Sequence, residues 1–170
     1  IRVSASTHTV NIGFKCLKKD INTVIALLSE ELRNPLFDNK EFELLKDQNI
    51  NNLKQGLLDP GTQGSIALLQ AIYPVGHPNY ETSIEETIKN IEAVTIEDLK
   101  AFHKMYFGPA GMHLVAVGDI DTKELYSSIT NSFKGWKGGL TDKVTFKEPA
   151  KANALTKVIT IPQKPSAQMY

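Results

Sequence analysis

The sequence predicts an α+β domain with a mixed or antiparallel sheet covered by helices. Three observations carry that reading. Residues 1–17 alternate between apolar and polar positions, which is the pattern of strands. Thr82, Thr95 and Asp121 each stand just before an amphipathic stretch and are followed three positions on by an acidic residue, the pattern of a capped helix start. Between the last two stretches lies an apolar run over residues 113–117, short enough for a strand buried on both sides. Local preferences that agree in this way favour an ordered domain.

The elements follow in order. Ile1, Val3 and Ala5, then Val10, Ile12, Phe14 and Cys16, predict two strands with a turn near Thr7 and His8. Asp20 is a fair N-cap. Ile21, Val24, Ile25, Leu28 and Leu32 then share one helical face, with Glu30, Glu31 and Arg33 outside it. Asn34-Pro35 ends that helix. Asp38 opens a long helix that reaches about Leu58 and stops before Asp59-Pro60. Its apolar stripe reads Phe42, Leu45, Leu53, Leu57, interrupted by Asn49 and Asn52. A third helix fits residues 61–71, and Pro74, Gly76 and Pro78 force a loop. The three capped helices then run to about Ile91, Phe107 and Phe133. The stretch 135–148 is rich in Gly and Lys and reads as a linker. A strand over 156–161 and a loop over 162–165 follow, and residues 167–170 look like the start of another strand.

Composition sets bounds. A chain of 170 residues suits one domain, or one domain plus part of the next. Hydrophobic residues at 41% and charged residues at 22% are ordinary for a globular protein. Nineteen basic and nineteen acidic residues cancel, which argues against a large electrostatic footprint for nucleic acid. The single cysteine, Cys16, rules out an internal disulfide and a cysteine-rich zinc site, and reads as a small buried hydrophobe. No apolar run is long enough to predict a membrane span. The chain opens on Ile rather than Met and closes inside a strand-like stretch, so both ends read as cut from a longer protein.

The stretch from Gly76 to Trp136 resembles a run found in the insulinase, pitrilysin and mitochondrial-processing-peptidase family of zinc metallopeptidases. The matching residues are His77, Pro78, Tyr80, Thr82, Ile84, Val94, Thr95, Leu99, Phe102, Tyr106, Phe107, Pro109, Met112, Leu114, Val115, Val117, Gly118 and Asp119. None is specific alone; their joint order is. The resemblance implies a zinc-dependent endopeptidase lineage. Zinc hydrolysis needs three protein ligands, an open position and a general base. In this family a His-x-x-Glu-His helix supplies two ligands and the base, and a Glu on a later helix supplies the third.

That chemistry is missing from this chain. Its histidines are His8, His77, His103 and His113, and no two have helical ligand spacing. The resemblance puts the His-x-x-Glu-His helix upstream of Ile1. Aligning Phe37-Asp38 and Asp59-Pro60 with the family's helix places its ligand Glu at Asn52 and a second acidic residue at Leu45. A neutral amide is a poor zinc ligand, and Leu offers no donor at all. Glu41, Glu43 and Asp47 lie nearby but out of register.

Other chemistry is equally thin. His77 in Gly-His-Pro reads as a hydrogen-bonded loop residue, and His103 as a surface residue. Tyr80, Tyr106, Phe107 and Trp136 are candidates for an aromatic peptide site, against core packing for Tyr106 and Phe107. Gly118-Asp119 lacks the rest of a phosphate loop. Ser4, Ser6, Ser65 and Ser166 have no nucleophile-elbow context. Asn49 and Asn52 are candidates for a wet internal wall, against plain solvation.

The expected reading is therefore a non-catalytic domain without catalytic, cofactor-binding or metal-binding residues of its own. Zinc would lie in a homologous catalytic domain or subunit, and the two would enclose peptide or unfolded-protein substrates. The expected organisation is a peptidase-domain fragment over 1–137, a linker over 138–155, and the start of a similar domain over 156–170. Two other readings stay open. One is the back half of a catalytic domain whose His-x-x-Glu-His lies upstream. The other is a structural subunit of a larger complex, with no link to proteolysis.

Overall fold

The computed structural model describes residues 1–6, 9–140, 146, 148, 154 and 156–162. Among them it is mostly helical, with one small two-stranded antiparallel sheet, an arrangement compatible with α+β. Contacts cluster into two units. The first combines Ile1–Phe37 with Glu97–Lys143, and the second combines Asp38–Ile96 with Val144–Tyr170.

The first unit opens with a hairpin. Strand β1 (Arg2–Ala5) pairs with β2 (Val10–Gly13), with Val3 opposite Ile12. The Ser6 N–H donates to the Thr9 carbonyl at 2.8 Å and closes the hairpin. The expected turn at Thr7 and His8 lies outside the described residues. A 3₁₀ turn at Lys18–Asp20 leads into α1 (Ile21–Arg33). Asp20 does not cap that helix through its side chain: it is itself in a helical conformation, as the last residue of the 3₁₀ turn. Helix α1 buries Ile25 and Leu28 against Phe133, and Ile12, Ile21, Leu32, Leu125, Ile129 and Trp136 pack around them. Leu125 and Ile129 belong to α6 (Thr122–Ser132). Asp121 caps α6, accepting from the N–H groups of Lys123 and Glu124 at 2.8 and 2.9 Å.

The polar side of the α1–α6 contact is equally specific. The Ser29 hydroxyl donates to the Ser132 carbonyl at 2.6 Å, and Arg33 Nη1 donates to the same oxygen at 3.2 Å and to the Lys134 carbonyl at 3.4 Å. The last carbonyls of a helix have no intrahelical partner and favour a nearby cation. Arg33 supplies both the partner and the charge.

The second unit holds α2 (Asn39–Gly56), α3 (Pro60–Ile72) and α4 (Ile84–Ala93). Asp38 caps α2 by accepting from the Glu41 N–H at 2.9 Å. Asp59 caps α3 by accepting from the Thr62 N–H at 2.7 Å, with Pro60 in the first turn where it loses no helical bond. For α4 the cap is Ser83, one residue later than the expected Thr82; Ser83 Oγ accepts from the Glu86 N–H at 3.2 Å, while Thr82 Oγ1 lies 2.8 Å from Thr87 Oγ1. Ile50, Ile66, Ala67 and Ile84 are buried. A Cβ on Gly56 would stand 3.1 Å from Ile84 Cδ1, so the missing side chain lets α4 start close to α2.

Three expectations are corrected. Residues 113–117 form no strand. Residues 112–117 all line a cavity of about 520 Å³ shared with the stretch 10–18 and α1, and within it Val115 and Val117 remain 87% and 94% exposed. An extended segment becomes a strand only through a ladder partner, and the described residues offer this one none. Residues 156–161 likewise carry no strand, and Val158 is exposed. The α2 stripe is also displaced. It runs through Phe42, Lys46, Ile50, Leu53 and Leu57, and Leu45 lies outside it, exposed. Residues 163–170, with the expected last strand, lie outside the described residues, as does most of the expected linker. None of the helices among the described residues is long and apolar enough to cross a membrane.

These burials set a contrast. Ile25→Ala should cost about 2–5 kcal/mol, because Ile25 is 1% exposed at the centre of its cluster. Val115→Asp should change stability by no more than about 0.5 kcal/mol, because its side chain is in solvent. Urea melts of both variants check the pair. A collapse of Val115→Asp would restore a buried strand at 113–117.

Candidate functional site

The face of α2 where a zinc ligand would stand is the first place to look. Leu45 and Asn52 are two helical turns apart and fall on one side of the helix. Both are exposed. Asn49, between them, is exposed too, and its Nδ2 donates to the Leu45 carbonyl at 2.7 Å. At Leu45, Asn49 and Asn52 this face therefore offers two neutral amides and a hydrocarbon, with Glu41 a turn before Leu45 as its one carboxylate. That set does not fit zinc, which takes several thiolate, imidazole or carboxylate ligands together. Among the described residues no group of three or more His, Cys, Asp and Glu is placed to hold a metal ion.

The inner face of the same helix is occupied by packing. Lys46 Nζ donates to the carbonyls of Glu92 and Val94 at 2.7 and 3.0 Å, and lies 5.5 Å from the Phe42 ring centroid. It caps the carbonyl end of α4 with a cation, while its hydrocarbon stem continues the apolar stripe.

The histidines are not brought together into a site. His77 is buried, and its Nδ1 accepts the Asn79 N–H at 3.0 Å, in line with its reading as a hydrogen-bonded loop residue. His103 corrects its expectation. It is half-buried on α5 (Ile96–Tyr106), where Nε2 donates to the Leu32 carbonyl at 2.8 Å near the end of α1, and its ring stacks on Phe107 at 4.8 Å with Phe37 edge-on at 5.6 Å. His113 is exposed. His8 and Ser166 lie outside the described residues.

Of the aromatic candidates, Tyr106, Phe107 and Trp136 are engaged in ring contacts close by in sequence. Tyr106 packs on Phe102 at 4.6 Å, and Trp136 stacks on Phe133 at 5.8 Å. Tyr106 is 48% exposed, so it is not the core residue expected. With Leu99, Phe102 and Met105 it gives α5 an apolar exposed face. Cys16 is free and half-buried on the wall of the cavity.

Two positions escaped sequence reasoning. Lys46 was hidden by its charge. Its spacing from Phe42 and Ile50, four residues each way, was the available signal. The close approach of Gly108 to Gly138 was hidden because nothing in either glycine's neighbourhood names the other. A Cβ on Gly108 would collide with the Gly138 backbone, and the Ala110 N–H donates to the Gly138 carbonyl at 3.2 Å.

What these features define, among the described residues, is a helical scaffold with no grouped metal donors. Residues 93–170 match the family model described as the Peptidase M16 inactive domain. Over those residues this bears out the insulinase-family, non-catalytic resemblance read in the sequence. The comparison with curated proteins gave no match, and the comparison with solved structures gave none either.

The donor chemistry of α2 leads to a metal-binding test. Asn52→Glu adds one carboxylate to a face whose one carboxylate, Glu41, lies about three turns away. Metal analysis after dialysis against zinc should therefore find no stoichiometric zinc on either the parent or the variant. One zinc per chain on the parent, lost on changing a residue of α2, would overturn this account of the face.

Proposed function

We propose that this chain is a non-catalytic domain of an insulinase-type zinc peptidase. It pairs with a zinc-bearing domain or subunit and helps to enclose peptide substrates for proteolysis. The observation behind this reading is the pair Asn52 and Leu45, standing where the family's acidic residues fall, in a chain whose later half matches an inactive-domain model.

In this reading the chain holds no catalytic, cofactor-binding or metal-binding residue. The partner supplies zinc, which activates water and polarises the scissile carbonyl. This chain's part is to wall off the substrate from solvent and hold it in place, which limits side reactions and fixes orientation. Substrates are peptides or unfolded segments, because an enclosing wall selects chains that can thread into it. The domain order follows the same reading: a peptidase-domain fragment over 1–137, a linker over 138–155, and the opening of a similar domain over 156–170.

Reconstitution tests the proposal. The chain is co-expressed with a homologous domain that carries His-x-x-Glu-His, and the complex is isolated by size exclusion. Peptide hydrolysis should appear in the complex and not in this chain alone. A chelator should stop hydrolysis without separating the two. Zinc-dependent hydrolysis by this chain alone would overturn the reading, and so would failure to associate with any zinc-bearing homologue.

A further inference from the structure

The first unit holds a cavity of about 520 Å³, a size within the range of about 300–1,000 Å³ that ligand sites occupy. Its lining comes from three sources. Helix α1 contributes the apolar side chains Ile21, Ile25, Leu28 and Leu32. The other two sources are 12–17, which continues from β2, and 112–117. Neither stretch is helical. The backbone is extended at Leu17, with φ −75° and ψ 153°, and at Met112, with φ −85° and ψ 131°.

In an extended chain successive side chains point to opposite sides, so side chains alone would line a cavity at every second residue. Here every residue of 12–17 and every residue of 112–117 lines it. The main chain of both stretches therefore borders the cavity. Its apolar lining is also wet: Leu17 is 65% exposed, and Val115 and Val117 more so. The charged residues of the lining are Lys15, Lys18 and Asp119, and Lys18 pairs with Asp119 at 3.0 Å. Two lysines against one aspartate leave a net positive charge, at Lys15.

We propose that this cavity seats one extended strand of a partner polypeptide, paired through its main chain with 12–17 and 112–117, with aliphatic side chains at alternate positions and a carboxylate beside Lys15. Main chain along two stretches offers donors and acceptors at the spacing of a peptide, which a lipid tail does not match. The apolar side chains of α1 receive every second residue of such a strand. Filling the cavity takes Val115 and Val117 out of water, which supplies the apolar part of the affinity. The positive lining selects an acidic segment over a second copy of this chain. The strand-like stretches 1–5, 10–17 and 113–117 contain no acidic residue, and the first two carry Arg2 and Lys15, so a copy would bring like charge. This inference stands on the first unit alone and does not depend on the proposed pairing with a zinc-bearing domain.

The experiment is a binding titration of the 170-residue chain with a blocked, dye-labelled peptide. The peptide is a glutamate followed by about six positions, the length of a common strand, in which an aliphatic residue alternates with threonine. Valine, isoleucine and leucine versions are used. Fluorescence anisotropy should show saturable binding of at least one version. Hydrogen exchange followed by NMR should slow at alternate amides of 113–117 by roughly five- to tenfold, the change expected for one hydrogen bond each. A peptide N-methylated at alternate amides lacks those donors and should not bind. Val115→Asp, which leaves the fold intact, puts a like charge on the lining and should weaken binding about tenfold. Lys15→Glu should weaken the glutamate peptide in the same way, and a peptide with lysine in place of the glutamate should restore binding. Failure of every version to bind overturns the proposal. Equal binding of the N-methylated peptide also overturns it, because the cavity would then be a general apolar site. A chain that dimerises, with 113–117 protected only in the dimer, overturns it as well, because the occupant would be a second copy.

Discussion

The contact between α1 and α6 is the interaction on which the first unit depends. Helices of thirteen and eleven residues are marginal in isolation, so each needs the other's apolar face. Ile25 and Leu28 supply that face from α1, and Phe133, just past the end of α6, closes it. The polar part of the contact gives direction to what burial alone would leave loose. Ser29 and Arg33 meet carbonyls at one end of α6 only, which fixes how far the helices slide along one another. The second unit repeats the device with other residues, Lys46 of α2 holding the carbonyl end of α4. In both units a cation from one helix completes another helix where its own hydrogen bonds run out.

The helices were legible in the sequence because their signals are local. Asp38 and Asp121 cap as their spacing implies, and the proline after Asp59 marks the start of α3. Where reading failed, the deciding partner lay elsewhere in the chain. Residues 113–117 have the composition of a strand, but pairing is not a property of the segment that pairs. Thr82 and Ser83 are both acceptable caps, and the Thr82–Thr87 contact settles between them. The register of α2 turned on Lys46, whose apolar stem counts towards the stripe and whose charge argues against it. At the candidate site, the poor donors at Asn52 and Leu45 were legible from residue type alone. The half-buried state of His103 was not, because its partner is a carbonyl seventy-one positions away.

The two sides of α2 answer to different demands. Its inner side is bound by packing, so Phe42, Ile50, Leu53 and Leu57 are restricted in size and polarity. Its outer side is not, since Leu45 is 56% exposed and Asn52 is in solvent. An acidic residue at either position would cost the fold little. The absence of carboxylates there is therefore no by-product of core packing. It is a property of the surface chemistry of α2.

The meeting of Gly108 with Gly138 sets a rule for how this chain tolerates change. Two backbones touch where Gly108 has no room for a side chain, so everything between them, including the Pro109–Gly111 turn and α6, is a closed loop pinned at one point. The entropy of closing such a loop grows only slowly with its length. Extra residues inserted into its exposed stretches would therefore be absorbed at small cost, while a single methyl group on Gly108 would force the two backbones apart. Length is negotiable in this part of the molecule, and the identity of one glycine is not.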